Sequence, residues 1–195
     1  MSKLFVVSAP SGCGKTTLCR RLLADNLGLA DSVSMTTRSP RRREEEGVDY
    51  RFVSRDLFEK MAGAGEFLEY EENFGHLYGT PKKPIEDNLA EGRAVLLSID
   101  VKGAMKVRRA YPKESVLIFL LPPSVADLQE RLKERKSDGP GDIARRLKIA
   151  KKELSYKAKY DYRIVNDRID SAYRKLKGII LTESKKGRRE KLCKT

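Results

Sequence analysis

The residues with the clearest capacity for chemistry lie near the N-terminus. Ala9-Pro10-Ser11-Gly12-Cys13-Gly14-Lys15-Thr16 follows the spacing G-x-x-x-x-G-K-[ST], with Ala9 in place of the first glycine. Small residues let backbone N–H groups turn inward toward phosphate oxygens, and the start of the following helix adds partial positive charge. Lys15 has the reach for β- and γ-phosphates, and the Thr16 hydroxyl suits Mg²⁺. An ordinary glycine turn before a helix is the bland alternative, and Lys15 and Thr16 in register disfavour it. The segment Ser11, Gly12, Cys13, Gly14, Lys15, Thr16 and Thr17 is therefore read as a nucleotide cradle. GTPases, ATPases and small-molecule kinases share such loops, so the loop does not name the acceptor.

Other chemistries are poorly provided for. His76 is the only histidine, which excludes a histidine-based triad or a His-rich metal site. Cys13, Cys19 and Cys193 are odd in number and lack CxxC spacing, against a disulfide framework or zinc site. Cys13 stands at a helix N-terminus, which lowers a thiol's pKa and favours oxidation; no catalytic part is assigned to it.

The loop needs a strand before it and a helix after it, and the pattern supplies both. Residues 4–8 form a continuous apolar run, as in a strand buried on both faces, and 16–24 form a helix. A second strand is expected over 32–36, a loop over 38–47, and a half-exposed antiparallel strand over 48–53. Ser54 should cap a helix to Ala62. Buried-type strands recur at 94–99 and 116–121, with a helix over 102–111 between them. Helices at 125–136 and 142–159, a strand at 162–165 and a helix at 171–182 close the chain. Buried strands joined by helices mean a mostly parallel sheet covered on both faces, an α/β fold. Between about Ser34 and Gly92 the pattern turns half-exposed, pointing to an inserted lobe.

The 195 residues suit one compact domain, or one core with a small inserted lobe. Charged residues make up 35% and apolar ones 39%, a globular composition. No apolar run approaches the roughly 20 residues of a membrane span. The basic-then-apolar start ends at Pro10, too early for a secretion signal, so a cytoplasmic location is expected. Net charge is +13, of which +5 falls in the last eleven residues, expected to be a frayed basic tail. The remaining +8 favours phosphates or nucleotides; without an RNA-recognition signature, nucleic acid is not an expected specific partner. Tyr156, Tyr160 and Tyr162 among lysines are read as packing residues, not as a stacking surface for RNA.

Further segments resemble one family. Ser34-Met35-Thr36-Thr37-Arg38-Ser39-Pro40-Arg41, Glu44, Asp49-Tyr50, Phe67-Leu68-Glu69-Tyr70 and Tyr78-Gly79-Thr80 are similar to the guanylate kinase pattern. So are Ile99-Asp100-Val101-Lys102-Gly103, Pro122-Pro123-Ser124, residues 143–147 and Val165-Asn166-Asp167, in order from Phe5 to about Leu181. The resemblance implies a phosphate-loop parallel sheet flanked by helices (1–33, 93–123 and 142–195) that carries ATP. It also implies an inserted mixed α/β GMP-binding lobe (34–92) and a short helical lid (124–141). The activity implied is transfer of the γ-phosphoryl of MgATP to GMP, and to dGMP, with the protein a monomer or homodimer and no membrane partner.

By the same resemblance, Arg38, Arg41, Tyr50 and Tyr78 bind the GMP phosphate, for which arginine's planar fork is suited. Ser34, Glu69, Thr80 and Asp100 match the base end. A carboxylate at Glu69 accepts both guanine donors, while Ser34 and Thr80 hydroxyls donate to O6. Adenine would leave Glu69 unpaired, and such mismatches discriminate by about 10⁴-fold or more. Arg131, Arg135 and Arg146 match arginines that hold the transferring phosphoryl, with Lys15 and Arg38 completing the catalytic set, and Asn166 matches a residue near the ATP base. Arg145 is expected to face outward.

Three positions depart from the family pattern. Ser98 replaces a usual aspartate, leaving Asp100 as the only acid at that strand end; Lys102 replaces glutamine, and Arg43 replaces glycine. A catalytically silent guanylate-kinase-like module is the main alternative. Such modules typically lose the loop lysine and the guanine carboxylate, and this chain keeps Lys15 and Glu69. A different phosphorylated acceptor is disfavoured by Glu69 together with Ser34 and Thr80.

Overall fold

In β1 (Leu4–Ser8) every side chain is buried: Leu4 and Val6 enter the apolar layer on one side of a sheet, Phe5 and Val7 the layer on the other. That two-sided burial explains the unbroken apolar run. The structure, a computed structural model, describes residues 2–41, 44–73, 75–133 and 140–192, with backbone only at 132, 140–143 and 187–192.

The core sheet is five-stranded and parallel, ordered β2-β7-β1-β8-β9, with β2 (Leu29–Asp31), β7 (Ala94–Ser98), β8 (Ser115–Leu121) and β9 (Tyr162–Val165). On one face lie α1 (Lys15–Ala24), through Leu18 and Leu22, and α7 (Ile169–Leu192), through Leu176 and Ile180. On the other lie α3 (Lys82–Ala90), through Ile85, and α4 (Val101–Ala110), through Val101, Ala104 and Val107. Parallel strands need such crossovers, so both sheet faces are covered. Tyr160 packs on Phe119 with ring centroids 4.8 Å apart, so this tyrosine is a core residue.

A second, four-stranded sheet has the order β4-β3-β6-β5: β4 (Arg51–Phe52), β3 (Met35–Thr36), β6 (His76–Pro81) and β5 (Phe67–Asn73). With α2 (Arg55–Gly63), it encloses a separate small core of Met35, Phe58, Phe67 and Leu77. The Ser54 hydroxyl accepts the Leu57 N–H and caps α2 as expected. The chain closes with α5 (Val125–Lys133), α6 (Pro140–Leu154) and a 3-10 turn (Ser155–Lys159) before β9.

Several expectations change. Of the strand expected over 32–36 only Met35–Thr36 forms, because residues 32–34 carry the chain from β2 in the core sheet to β3 in the second sheet. The one expected over 48–53 keeps only Arg51–Phe52 and pairs in parallel with β3. Its first half is a turn: Gly47 takes φ 75°, its N–H donates to Tyr50 O, and Asp49 accepts the Glu45 N–H. His76, the sole histidine, begins β6 and is exposed. The last helix continues to Leu192, so the basic segment expected to fray is helical that far; its final residues lie outside the described ones.

Phe58 is fully buried and stacks on Phe67 at 4.3 Å. Phe58→Ala should cost about 3–5 kcal/mol of stability, read by urea denaturation.

Candidate active site

The turn between β1 and α1 is shaped by Gly12 at φ 92° and Gly14 at φ 78°, left-handed conformations that favour glycine. Cys13 N–H donates to Pro10 O, closing the turn. Behind it stands Asn166, just after β9. It is buried, and its side-chain amide donates to Cys13 O at 2.8 Å while its own N–H donates to Leu121 O. A Cβ on Gly14 would lie 2.7 Å from that amide nitrogen. Asn166 thus braces the loop from behind, and Arg131 reaches its carbonyl at 3.1 Å from α5.

Burial pushes the Cys13 thiol up to about 12, with Arg131 opposing, which corrects the expectation of an oxidisable cysteine: burial outweighs the helix N-terminus. Lys15 donates to Ile99 O at 3.1 Å, and enclosure of its head group lowers its pKa, opposed by nearby acidic groups including Asp100, Glu153 and Glu69. Thr16 and Thr17 are on the first turn of α1 and both are exposed; Thr16 borders a side cleft.

From this loop a cleft of about 260 Å³ runs between the two sheets. Ser11, Lys15 and Arg146 line its phosphate end, and Ser34, Glu69, Tyr78 and Asp100 line it further along, with Arg41 and Tyr50 between this cleft and the side cleft. Arg145 is exposed and Arg146 half-buried, as the helical register requires. Arg135 lies outside the described residues, as does Arg43.

Glu69 is 7% exposed and accepts the Thr80 hydroxyl. Thr80 is fully buried, and Ser34 stands 3.5 Å from its oxygen. The Thr80 hydroxyl thereby orients the carboxylate, and Ser34 lines the cleft beside it. Burial raises Glu69 to about 7, with the Thr80 bond opposing and Asp100 adding to the rise. Asp100 caps α4 by accepting the Gly103 N–H at 2.8 Å, and its other oxygen accepts the Asn73 amide.

Arg38 lines the side cleft and is held by a bidentate pair to Glu44 at 2.6 and 2.7 Å, with its guanidinium 4.9 Å from the centre of the Tyr50 ring. The pair raises its pKa and lowers that of Glu44. Glu44 also accepts the Arg41 N–H, so one carboxylate sets both arginine positions.

Some cleft residues were not picked out from sequence. Glu71 and Asn73 follow Glu69 at strand period, and all three line the cleft. Glu71 is paired with Lys102 at 3.0 Å and Lys106 at 2.9 Å, which gives Lys102, the residue in place of glutamine, a structural partner. Glu153 lies seven residues after Arg146 on one helix face, and Ile149 between them also lines the cleft. Burial and Asp100 raise Glu153 to about 7 against the pull of Lys15, and its Oε2 is buried without a hydrogen-bond partner. Asp100 remains the only acid at the end of β7, and strand β5 and helix α6 bring other acids to the same cleft.

The guanylate kinase family model matches residues 1–183. The chain belongs to the guanylate kinase family. It is 46% identical over 188 residues to a guanylate kinase of Wolbachia pipientis wMel, covering 96% of this chain and 94% of that one. It is 48% identical over 180 residues to one of Caulobacter vibrioides, covering 92% and 84%. The crystal structure of guanylate kinase from Anaplasma phagocytophilum is similar at TM-score 0.80 and 37% identity, covering 94% of this chain and 86% of that one.

Glu69 binds its proton more tightly when folded, so between about pH 4.5 and about pH 7 the native state holds more protons than the unfolded chain. Its contribution is complete below the lower value and is lost as pH rises through the upper one. In Glu69→Gln, stability should fall less across that window than in the parent, as read by urea titrations at several pH values.

Proposed function

We infer that the protein transfers the γ-phosphoryl group of ATP to GMP, giving GDP and ADP, and that the cleft residues divide the work by the charge each faces. One observation carries this reading: a single cleft joins the loop bearing Lys15 to a base end bearing Ser34, Glu69 and Asp100. A silent binding module would have no use for both ends.

Glu69, oriented by Thr80, accepts the guanine N1–H and 2-amino protons, and Ser34 donates to O6. With its pKa near 7, Glu69 takes the ionised form as these two donors replace water around it. Arg41, Tyr50, Tyr78 and Arg38 bind the GMP phosphate, with Glu44 setting the two arginines. The buried Arg38 Nε has no partner among the described residues and is the donor left for a phosphate oxygen.

The loop N–H groups and Lys15 hold the ATP phosphates, whose negative charge offsets the enclosure that lowers the Lys15 pKa. A GMP phosphate oxygen then attacks the γ-phosphorus, the bond to the β–γ bridging oxygen breaks, and its electron pair leaves with ADP. No general base is required, because that oxygen is already ionised. Arg146 and Arg131 from the two lid-side helices steady charge on the transferring group, together with Arg135. Asn166 acts from behind the loop.

The donor set suits a cation delivered with a nucleotide. Thr16 offers one hydroxyl beside the loop, and the described residues contain no cluster of His, Cys, Asp and Glu able to hold an ion alone. Mg²⁺ bound there would neutralise charge on the phosphate oxygens. The proposed division into core (1–33, 93–123, 142–195), GMP lobe (34–92) and lid (124–141) is supported by the two separate sheets, with α3 of the lobe segment packing on the core sheet. No described helix is long and apolar enough to cross a membrane; the proposed setting is cytoplasmic purine nucleotide metabolism.

An assay coupling ADP release to MgATP with GMP, dGMP, AMP, CMP and UMP tests the reading. Turnover should be confined to the guanine nucleotides. Lys15→Ala should abolish it, and Glu69→Gln should raise the KM for GMP about 10- to 100-fold while the KM for ATP stays unchanged. Folded protein that binds GMP but turns over no acceptor would overturn it in favour of a silent module.

A further inference from the structure

Gly103 is the third residue of α4, inside the helix, where glycine is among the poorest formers. Its φ is not in the left-handed region, so no turn requires a glycine there. Its neighbour does. A Cβ at Gly103 would lie 2.7 Å from Glu69 Oε2 and 2.9 Å from Glu69 Cδ, with Ile99 Cδ1 next at 3.3 Å. The Glu69 carboxylate therefore stands against the bare backbone of α4, in the space a side chain would fill. It has little freedom to withdraw, since it is 7% exposed and its other oxygen is tied to Thr80. The same glycine's N–H donates to Asp100, the second acid of the base end.

We propose that Gly103 is a specificity-determining positioning residue, whose missing side chain sets where the Glu69 carboxylate meets the guanine base. This rests on the reading that Glu69 recognises guanine. Gly103 touches no substrate; it acts through Glu69. A methyl there displaces the far end of one side chain and leaves the backbone in place, so the effect falls on base recognition and not on the phosphate-binding loop.

The inference is tested with Gly103→Ala, Glu69→Ala and the double variant, together with Gly178→Ala. Gly178 is a helical glycine of α7 with nothing within 4 Å of where a Cβ would lie, so it reports the effect of the methyl on helix formation alone. Initial rates over GMP and over ATP, and melting temperatures, are measured for each. Gly103→Ala should raise the KM for GMP about 10- to 100-fold, with the KM for ATP unchanged. Gly178→Ala should change neither constant. The gain in Tm from Gly103→Ala should be larger in the Glu69→Ala background than in the parent, because removing the acid removes the collision and leaves only the better helix former.

That comparison remains informative if the single variant folds poorly. Equal Tm changes in both backgrounds, or a KM for GMP within about twofold of the parent, would overturn the role of Gly103. If Glu69→Ala itself leaves the KM for GMP unchanged, the reading of Glu69 fails instead. The two failures are thus separable.

Discussion

The geometry of the cleft is referred to the turn that leaves β1. A parallel strand delivers its last residues at the carboxyl edge of the sheet, and α1 begins there with its N–H groups unpaired. Left-handed Gly12 and Gly14 let the chain reverse between the two. The turn is then fixed from two other strands of the same sheet. Lys15 is tied to Ile99 O after β7, and Asn166 after β9 holds Cys13 O. Because β7 and β9 lie in one sheet with β1, the phosphate end of the cleft inherits the rigidity of that sheet.

The base end is built differently. Its strands belong to the smaller sheet, which has its own core around Phe58 and Phe67. The placement of its side chains then depends on how that sheet meets α4. Glu69 from β5 leans on Gly103 of α4, Asn73 from β5 donates to Asp100, and Glu71 pairs with Lys102 and Lys106. These contacts give the two halves a polar seam. Exposed ion pairs of this kind contribute little each to stability, so their weight lies in setting orientation.

The charge pattern follows from the same layout. Acids at the base end and around Lys15 line one cleft, and Glu69 and Glu153 are both raised to about 7 by burial. At the side cleft the Arg38 guanidinium is paired with Glu44, which raises its pKa further.

What the sequence determined by itself was local or periodic. The glycine loop with Lys15 and Thr16 was legible because phosphate binding uses contiguous backbone. The buried strands were legible because burial on both faces leaves an unbroken apolar run, as in β1. The Ser54 cap was legible because its bond reaches only three residues. The order of motifs carried the family. Pattern reading misjudged residues 32–36 and 48–53, where two-residue strands are held by partners distant in sequence. Only the tertiary structure decided that the Thr80 hydroxyl bonds Glu69, that Glu44 holds Arg38, and that Cys13 is buried. It alone brought Glu153 beside Lys15 and placed Gly103 against Glu69. Each of those depends on which side chains share a small volume and how much water remains there, and a linear order of residues does not specify either.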